Sequence, residues 1–317
     1  MPAVGTFGHK WYPEDIAGML GLPSVGHIWY VDPSAGSDSA SGKTQSTALA
    51  TVAAAYAKCT SGKHDVVLIA PTGGTGRTTE VAPIVWAKRF THLIGNAAPT
   101  MVSIRAGLDF SSAVTVDQIG FTLSENGCIF KNLTFITTED INVLVKVTGS
   151  YNYFGNCHIA GAANATSGAD TAWRALLLDG AHENLFENCT IGAGTFTRSA
   201  VNANLEQINT CRRNAYKSCF FPMYSTDAGA VFAKIVTGNC HENYVLFDDC
   251  MMFAPLLVGS QASLTTAMLT TNTGNGIYIW KNSYTYGAAV IADVLTKVFT
   301  TTPVITGANS GEMVIAS

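Results

Sequence analysis

The chain has 317 residues; its 47% hydrophobic content excludes a disordered polymer, while its 13% charged fraction is about half the ~25% usual in soluble domains. A formal net charge of −4 with 18 Lys and Arg offers no basic field, so no nucleic-acid partner is expected. No apolar run reaches the ~20 residues that cross a bilayer, and Met1 to Lys10 lacks the basic and apolar regions of a secretory leader, so assembly in a host cytoplasm and no membrane partner are expected.

Residues 1–27 mix glycine, proline and aromatics, including Phe7, Trp11 and Tyr12. Pro13, Glu14 and Asp15 suit the first turn of a short helix, where proline needs no N–H partner and carboxylates meet the positive end of the dipole. So short a segment cannot bury itself: it is either an arm that packs on a neighbour or a tail tied to its own domain. Ile28-Trp29-Tyr30-Val31-Asp32 reads as a strand stopped by Pro33, and a polar loop follows to Ser46. Leu49, Val52, Ala53, Tyr56 and Ala57 recur at helical spacing, which predicts one amphipathic helix near 46–59. Asp65-Val66-Val67-Leu68-Ile69-Ala70 is a continuous apolar strand of the kind parallel sheets bury. A helix just ahead of the first strand of a solenoid closes its hydrophobic end. The glycine-rich stretch 71–78 is not a phosphate-binding loop, because Pro71 stands where glycine is needed and Arg77 where lysine is needed.

From Ile129 onward one short pattern returns: Phe130-Lys131-Asn132, Phe154-Gly155-Asn156, Phe186-Glu187-Asn188, Tyr216-Lys217-Ser218, Phe247-Asp248-Asp249 and Trp280-Lys281-Asn282. The leading aromatics lie 24, 32, 30, 31 and 33 residues apart, and Leu93-Ile94-Gly95-Asn96 is an earlier relative. Each copy follows a second apolar strand and a tight turn, as in Leu176-Leu177-Leu178-Asp179-Gly180. A unit of this size has no core and becomes stable only by stacking on its neighbours. Parallel coils repeat at ~4.8 Å, so equivalent aromatics pile up inside, while asparagine tolerates the left-handed backbone of a corner. Cys157, Cys189, Cys219 and Cys250 form one column three residues after the aromatics, which suits buried core thiols; a metal or redox column would need His or carboxylate partners that do not repeat.

This pattern resembles the pectate-lyase-like superfamily. The opening Tyr30-Val31-Asp32-Pro33 through Gly36-Ser37-Asp38, then the alanine-rich helix and Asp65-Val66-Val67-Leu68-Ile69, is similar to the start of such domains in phage and bacterial surface proteins. The resemblance implies an all-β chain. Its architecture is a single-stranded right-handed parallel β-helix, or solenoid, over 28–287, with a capping helix, an N-terminal arm over 1–27 and a tail over 288–317. A helix is expected near Ala289 to Val298. The superfamily includes lyases, hydrolases, tailspikes and non-catalytic virion proteins, so fold is specified and function is not.

In the lyases of that superfamily the resemblance implies acidic residues for calcium and a basic residue as base; hydrolases need two or three nearby carboxylates. The catalytic candidates are Asp248, Asp249, Glu187 and Arg213. Adjacent Asp248 and Asp249 face opposite ways on a strand and no carboxylate column repeats, so neither a catalytic site nor a metal or cofactor is expected. The triplets His182-Glu183-Asn184, Arg212-Arg213-Asn214 and His241-Glu242-Asn243 suggest a ladder of alternating charge, Glu183, Arg213 and Glu242, with acid-base work by His and Glu as the alternative.

Phe196, Phe220, Phe221, Tyr224, Met251, Met252, Phe253, Tyr284 and Tyr286 follow the corners, where outer faces belong. With so little charge to protect them, symmetric association as a homotrimer is expected, with Phe7, Trp11, Tyr12, Phe220, Met251 and Phe253 as interface candidates. The leading expectation is a capsid decoration or cement subunit on a phage virion surface, held to the major capsid protein through its arm. The alternatives are a tailspike-type polysaccharide depolymerase and a non-catalytic glycan-binding adhesin.

Overall fold

The computed structural model describes residues 11–71, 77–115, 118–237, 244–255, 261–270, 277–293 and 298–300. Phe7, residues 72–76, Glu242 and the end of the chain after Thr300 lie outside the described residues.

Short apolar strands with no partner nearby in sequence pair with the strand one coil away, and every strand pair described is parallel. The first broad face stacks Ile28–Val31, Val66–Ile69, His92–Gly95, Ile129–Thr137, Tyr153–Ala162, Leu185–Glu187, Asn214–Lys217, Tyr244–Asp248, Ile277–Lys281 and Val298–Thr300. A second face runs from Ile84–Trp86 through Ile119–Leu123, Val143–Val147, Arg174–Asp179, Ala203–Asn209, Val231–Thr237 and Leu264–Thr270 to Ala288–Ala292. The third is narrower: it stacks Arg77–Glu80, Gly107–Phe110, the far halves of Ile129–Thr137 and Tyr153–Ala162, and then Thr190–Ile191, Phe220–Pro222, Met251–Phe253 and Tyr284–Tyr286. One coil is therefore second-face strand, turn, first-face strand, corner, third-face strand and loop, as the repeat predicts.

The register places Leu93, Phe130, Phe154, Phe186, Tyr216, Phe247 and Trp280 on successive rungs of one column. From Phe130 to Phe247 the rings stack with centroids 4.8, 4.7, 5.0 and 5.2 Å apart and planes within 16° of parallel. Trp280 ends the pile tilted at 55° on Phe247. All of these rings are buried, so the pile both fills the interior and sets the coil spacing.

Two residues after each aromatic the backbone turns left-handed, with φ of 57° at Asn132, 51° at Asn156, 53° at Asn188, 49° at Ser218, 56° at Asp249 and 47° at Asn282. Asn and Asp accept this conformation more readily than other L-residues, which explains the repeat's polar third position. A second left-handed corner precedes the first face at His64, Phe90, Tyr151, Glu183 and Arg213. These residues share no chemical character, although an asparagine follows the corner in three coils, at Asn152, Asn184 and Asn214.

Helix α1 (Pro13–Leu20) lies on the chain's own first coils: Ile16 packs with Ile28, Tyr30, Val66, Leu68 and Ile94, while Trp11, Met19 and Leu20 pack at the margin. Lys131 Nζ donates to the Met19 carbonyl at 2.9 Å, and the Tyr30 hydroxyl to the Trp11 carbonyl at 3.1 Å. Of the two expectations for this stretch, the tail tied to its own domain describes Trp11 to Leu20. Helix α2 (Val52–Lys58) closes the solenoid end through Val52, Ala55 and Tyr56. Opposite charges satisfy its two ends. The buried Glu80 carboxylate accepts from Val52 N at 2.8 Å and Ala53 N at 3.2 Å, and Lys88 Nζ donates to the carbonyls of Tyr56, Ala57 and Cys59.

Two expectations are corrected. The helix expected near Ala289 to Val298 is absent from the described residues. Ala288–Ala292 is a strand pairing with Leu264–Thr270, and Val298–Thr300 pairs with Ile277–Lys281, so the solenoid continues past 287. An exposed rung edge beside an apolar Ala-Ala-Val-Ile-Ala segment favours ladder bonding over helix propensity. Phe221 and Met252, expected outside, are fully buried, because alternation along the third-face strands turns every middle residue inward.

Ser218 is the one corner residue of the six that is neither Asn nor Asp. Ser218→Asn is expected to raise stability by about 0.5–1 kcal/mol in urea melts, whereas unchanged or reduced stability would mean that the corner conformation carries no strain there.

Candidate functional site

The third face carries the chain's most distinctive surface. Its column nearest the corner begins at Arg77 and Gly107 and continues outward as Thr134, His158, Thr190, Phe220, Met251 and Tyr284. A second outward column follows with Pro222, Phe253 and Tyr286, in which Phe253 stacks on Tyr286 at 5.4 Å and meets Phe220 at 6.3 Å. The two columns differ along their length because a loop covers one end. Residues 97–105 cross the polar half, where Ser103 N donates to His158 Nδ1 at 3.0 Å and Thr190 Oγ1 donates to the Met101 carbonyl at 2.6 Å. Beyond the loop the columns are apolar and, past the buried Pro222, exposed: Met251 is 42% exposed, Tyr284 68% and Tyr286 37%. Met101 on the loop itself is 63% exposed and adds to the same surface. Phe220 and Phe253 are half-buried within it.

His158 holds the loop as a neutral ring, since Nδ1 accepts from Ser103 and Nε2 donates to the Gly192 carbonyl at 3.1 Å. Burial lowers its pKa to about 4.

The carboxylates are engaged in pairs. Glu187, Lys217, Asp248 and Lys281 form one outward column on the first face, next to the corner. Lys281 Nζ lies 2.8 Å from Asp248 Oδ2, and the Tyr153 hydroxyl donates to Glu187 Oε2 at 2.8 Å. Asp249 sits on the corner and accepts from the Ser218 hydroxyl at 3.0 Å. The structure thus brings Glu187 and Asp248 into one column but separates them by Lys217. Arg213 lies at the other corner, paired with Glu183 at 2.9 Å through Nε. This is the first step of the ladder expected from the triplets, whose third member, Glu242, lies outside the described residues. The chemistry of this arrangement is charge pairing across coils.

The cysteine column is core. Cys157, Cys189, Cys219 and Cys250 are buried free thiols, and each donates to the carbonyl of the aromatic one coil back: Phe130, Phe154, Phe186 and Tyr216, at 3.3 to 3.5 Å. Ser283 continues the series on the Phe247 carbonyl at 3.3 Å. The left-handed corner interrupts the backbone ladder, and a short donor side chain fills the gap. Burial holds the Cys157 and Cys219 thiols well above their ordinary pKa, which keeps them protonated and unreactive.

One ladder escaped the sequence reading. Asn152, Asn184 and Asn214 are buried at the second corner and bond along the stack, Asn184 Oδ1 accepting from Asn152 N and Asn214 Oδ1 from Asn184 N, both at 3.0 Å. The signal was an asparagine two residues before each aromatic. In the next coil Val245 takes that place.

Among solved structures, a pectin methylesterase variant in complex with a hexasaccharide is similar at 13% identity and a TM-score of 0.54, over 86% of this chain and 80% of that one. The pectin methylesterase of Erwinia chrysanthemi is similar at 14% identity and 0.49, over 86% and 80%. The ORF18 protein of Geobacillus virus E2 is similar at 12% identity and 0.49, over 74% of this chain and 46% of that one. No protein-family model and no curated protein matches the chain. The first likeness identifies the fold as a right-handed parallel β-helix.

Two predictions follow from these contacts. Cys250→Ser is expected to retain most of the stability, while Cys250→Ala loses about 1–3 kcal/mol by leaving the Tyr216 carbonyl unpaired; equal losses would deny the thiol its bonding role. For His158 the folded pKa lies below the unfolded value of about 6.5, so its contribution is complete above pH ~6.5 and is lost as the pH falls toward 4. Melting temperature should drop across that window, and His158→Gln should flatten the slope by up to ~1.4 kcal/mol per pH unit; an unaltered slope would contradict the neutral, buried ring.

Proposed function

We propose that this chain is a structural subunit of a phage-like particle, a capsid decoration or cement protein that joins its neighbours through the open half of the third face. The observation that carries the reading is the pair of outward columns built from Phe220, Met251, Tyr284, Phe253 and Tyr286, which no segment among the described residues covers. Exposed contiguous apolar surface of this kind marks association sites. The pairing of Asp248 with Lys281 and of Glu187 with Tyr153 supports a scaffold in preference to acid-base chemistry. The low charge agrees with a surface that other subunits cover. In this reading the shell partner is the major capsid protein and the location is the outer surface of the virion. Since Trp11 packs on the chain's own coils, Tyr12, exposed on the first helix's N-terminal side, is the contact that segment offers.

A second reading draws on the exposed rings of Tyr284 and Tyr286, which are of the type that stacks on sugars: a glycan-binding adhesin, or a depolymerase if cleavage accompanies binding.

Adding purified chain to particles that lack it separates these readings. The structural role predicts saturable binding to the particles, lost in Met251→Arg, and no release of sugar from host polysaccharide. Turnover that disappears in Asp248→Ala or Asp249→Ala would replace the scaffold with the depolymerase, and a chain that never associates with particles would end the proposal.

A further inference from the structure

The charged column beside the apolar patch has an order that matters for association. Along successive coils it reads Glu187, Lys217, Asp248, Lys281. Reversed, the same order sets Lys281 opposite Glu187 and Asp248 opposite Lys217, so the column is complementary to an inverted copy of itself. The apolar columns share these levels. Inversion sets Phe220 against Met251, and it carries Tyr284 to the level of Thr190, where the exposed Met101 projects from the loop bonded to Thr190.

We propose that the third face and its charged margin dock against a second copy of this chain. The two solenoids run antiparallel about a two-fold axis that passes between the levels of Lys217 and Asp248. This rests on the reading of the chain as an assembling subunit and makes a two-fold pair, in place of a three-fold ring, its building block. In such a pair Phe220, Met251 and their mates form the dry centre, and four opposite-sign contacts per column fix the register.

Sedimentation equilibrium of the full chain over a concentration series tests the pairing, with thermal melts to verify that each variant folds. Twice the chain mass is expected. Lys217→Glu should weaken association about tenfold or more, because it faces Asp248 of the second copy, and adding Asp248→Lys to it should restore association. A three-fold mass, a Lys217→Glu variant that associates like the parent, or a double variant no stronger than the single one overturns the antiparallel pair. A trimer abolished by Met251→Arg does so while leaving the assembling-subunit reading standing. A chain that is monomeric throughout and also fails to bind particles removes both.

Discussion

The constraint on which everything else depends is vertical registration: each coil must place its aromatic on the aromatic below. The pile from Phe130 to Trp280 runs unbroken through the described interior, with rings near the spacing of the strands themselves. Once the rings are stacked, the position two residues later is committed to a left-handed corner, and the next position to a side chain that can bond the carbonyl the corner leaves free. Cys157, Cys189, Cys219, Cys250 and Ser283 all meet that second demand in the same way. A column that looks like redox chemistry on paper is thus a consequence of backbone geometry.

The same registration governs the outside. Residues that face solvent are also stacked coil on coil, so a surface property is never isolated: it becomes a stripe. Alternating acidic and lysine side chains produce a charged stripe on the first face, and Phe, Met and Tyr produce an apolar one on the third. The loop 97–105 covers only the coils where the third-face stripe is polar, through Ser103 on His158 and Thr190 on Met101. The apolar end is not covered by that loop, and the proposed association rests on this exposed surface.

Much of this was legible in the amino-acid sequence, and for physical reasons. A motif that repeats every thirty-odd residues with an aromatic and an asparagine at fixed offset announces both pile and corner, and a run such as Val66 to Ile69 announces a strand buried on both faces. The cap helix was readable from its apolar spacing, although not the partners at its ends, because Glu80 and Lys88 come from strands and turns that only the fold brings near. The second corner was legible only in part: His64, Phe90, Tyr151, Glu183 and Arg213 share only a backbone angle, and the asparagine that follows it recurs in three coils, at Asn152, Asn184 and Asn214. The candidate site was half legible. Phe220, Met251 and Phe253 lie where the pattern put them, but Phe221 and Met252 turned inward because the strand phase after the corner is set by the buried cysteine, which a list of apolar residues does not reveal.

Side-chain oxidation by hydroxyl radicals, read by mass spectrometry on the dilute and the assembled chain, is the most direct measurement of whether the third face is where this protein makes its contacts. Met251 and Tyr284 should lose much of their labelling on assembly, while Tyr151, 60% exposed at a different corner, keeps its own. Equal labelling of Met251 and Tyr284 in both states would contradict the account.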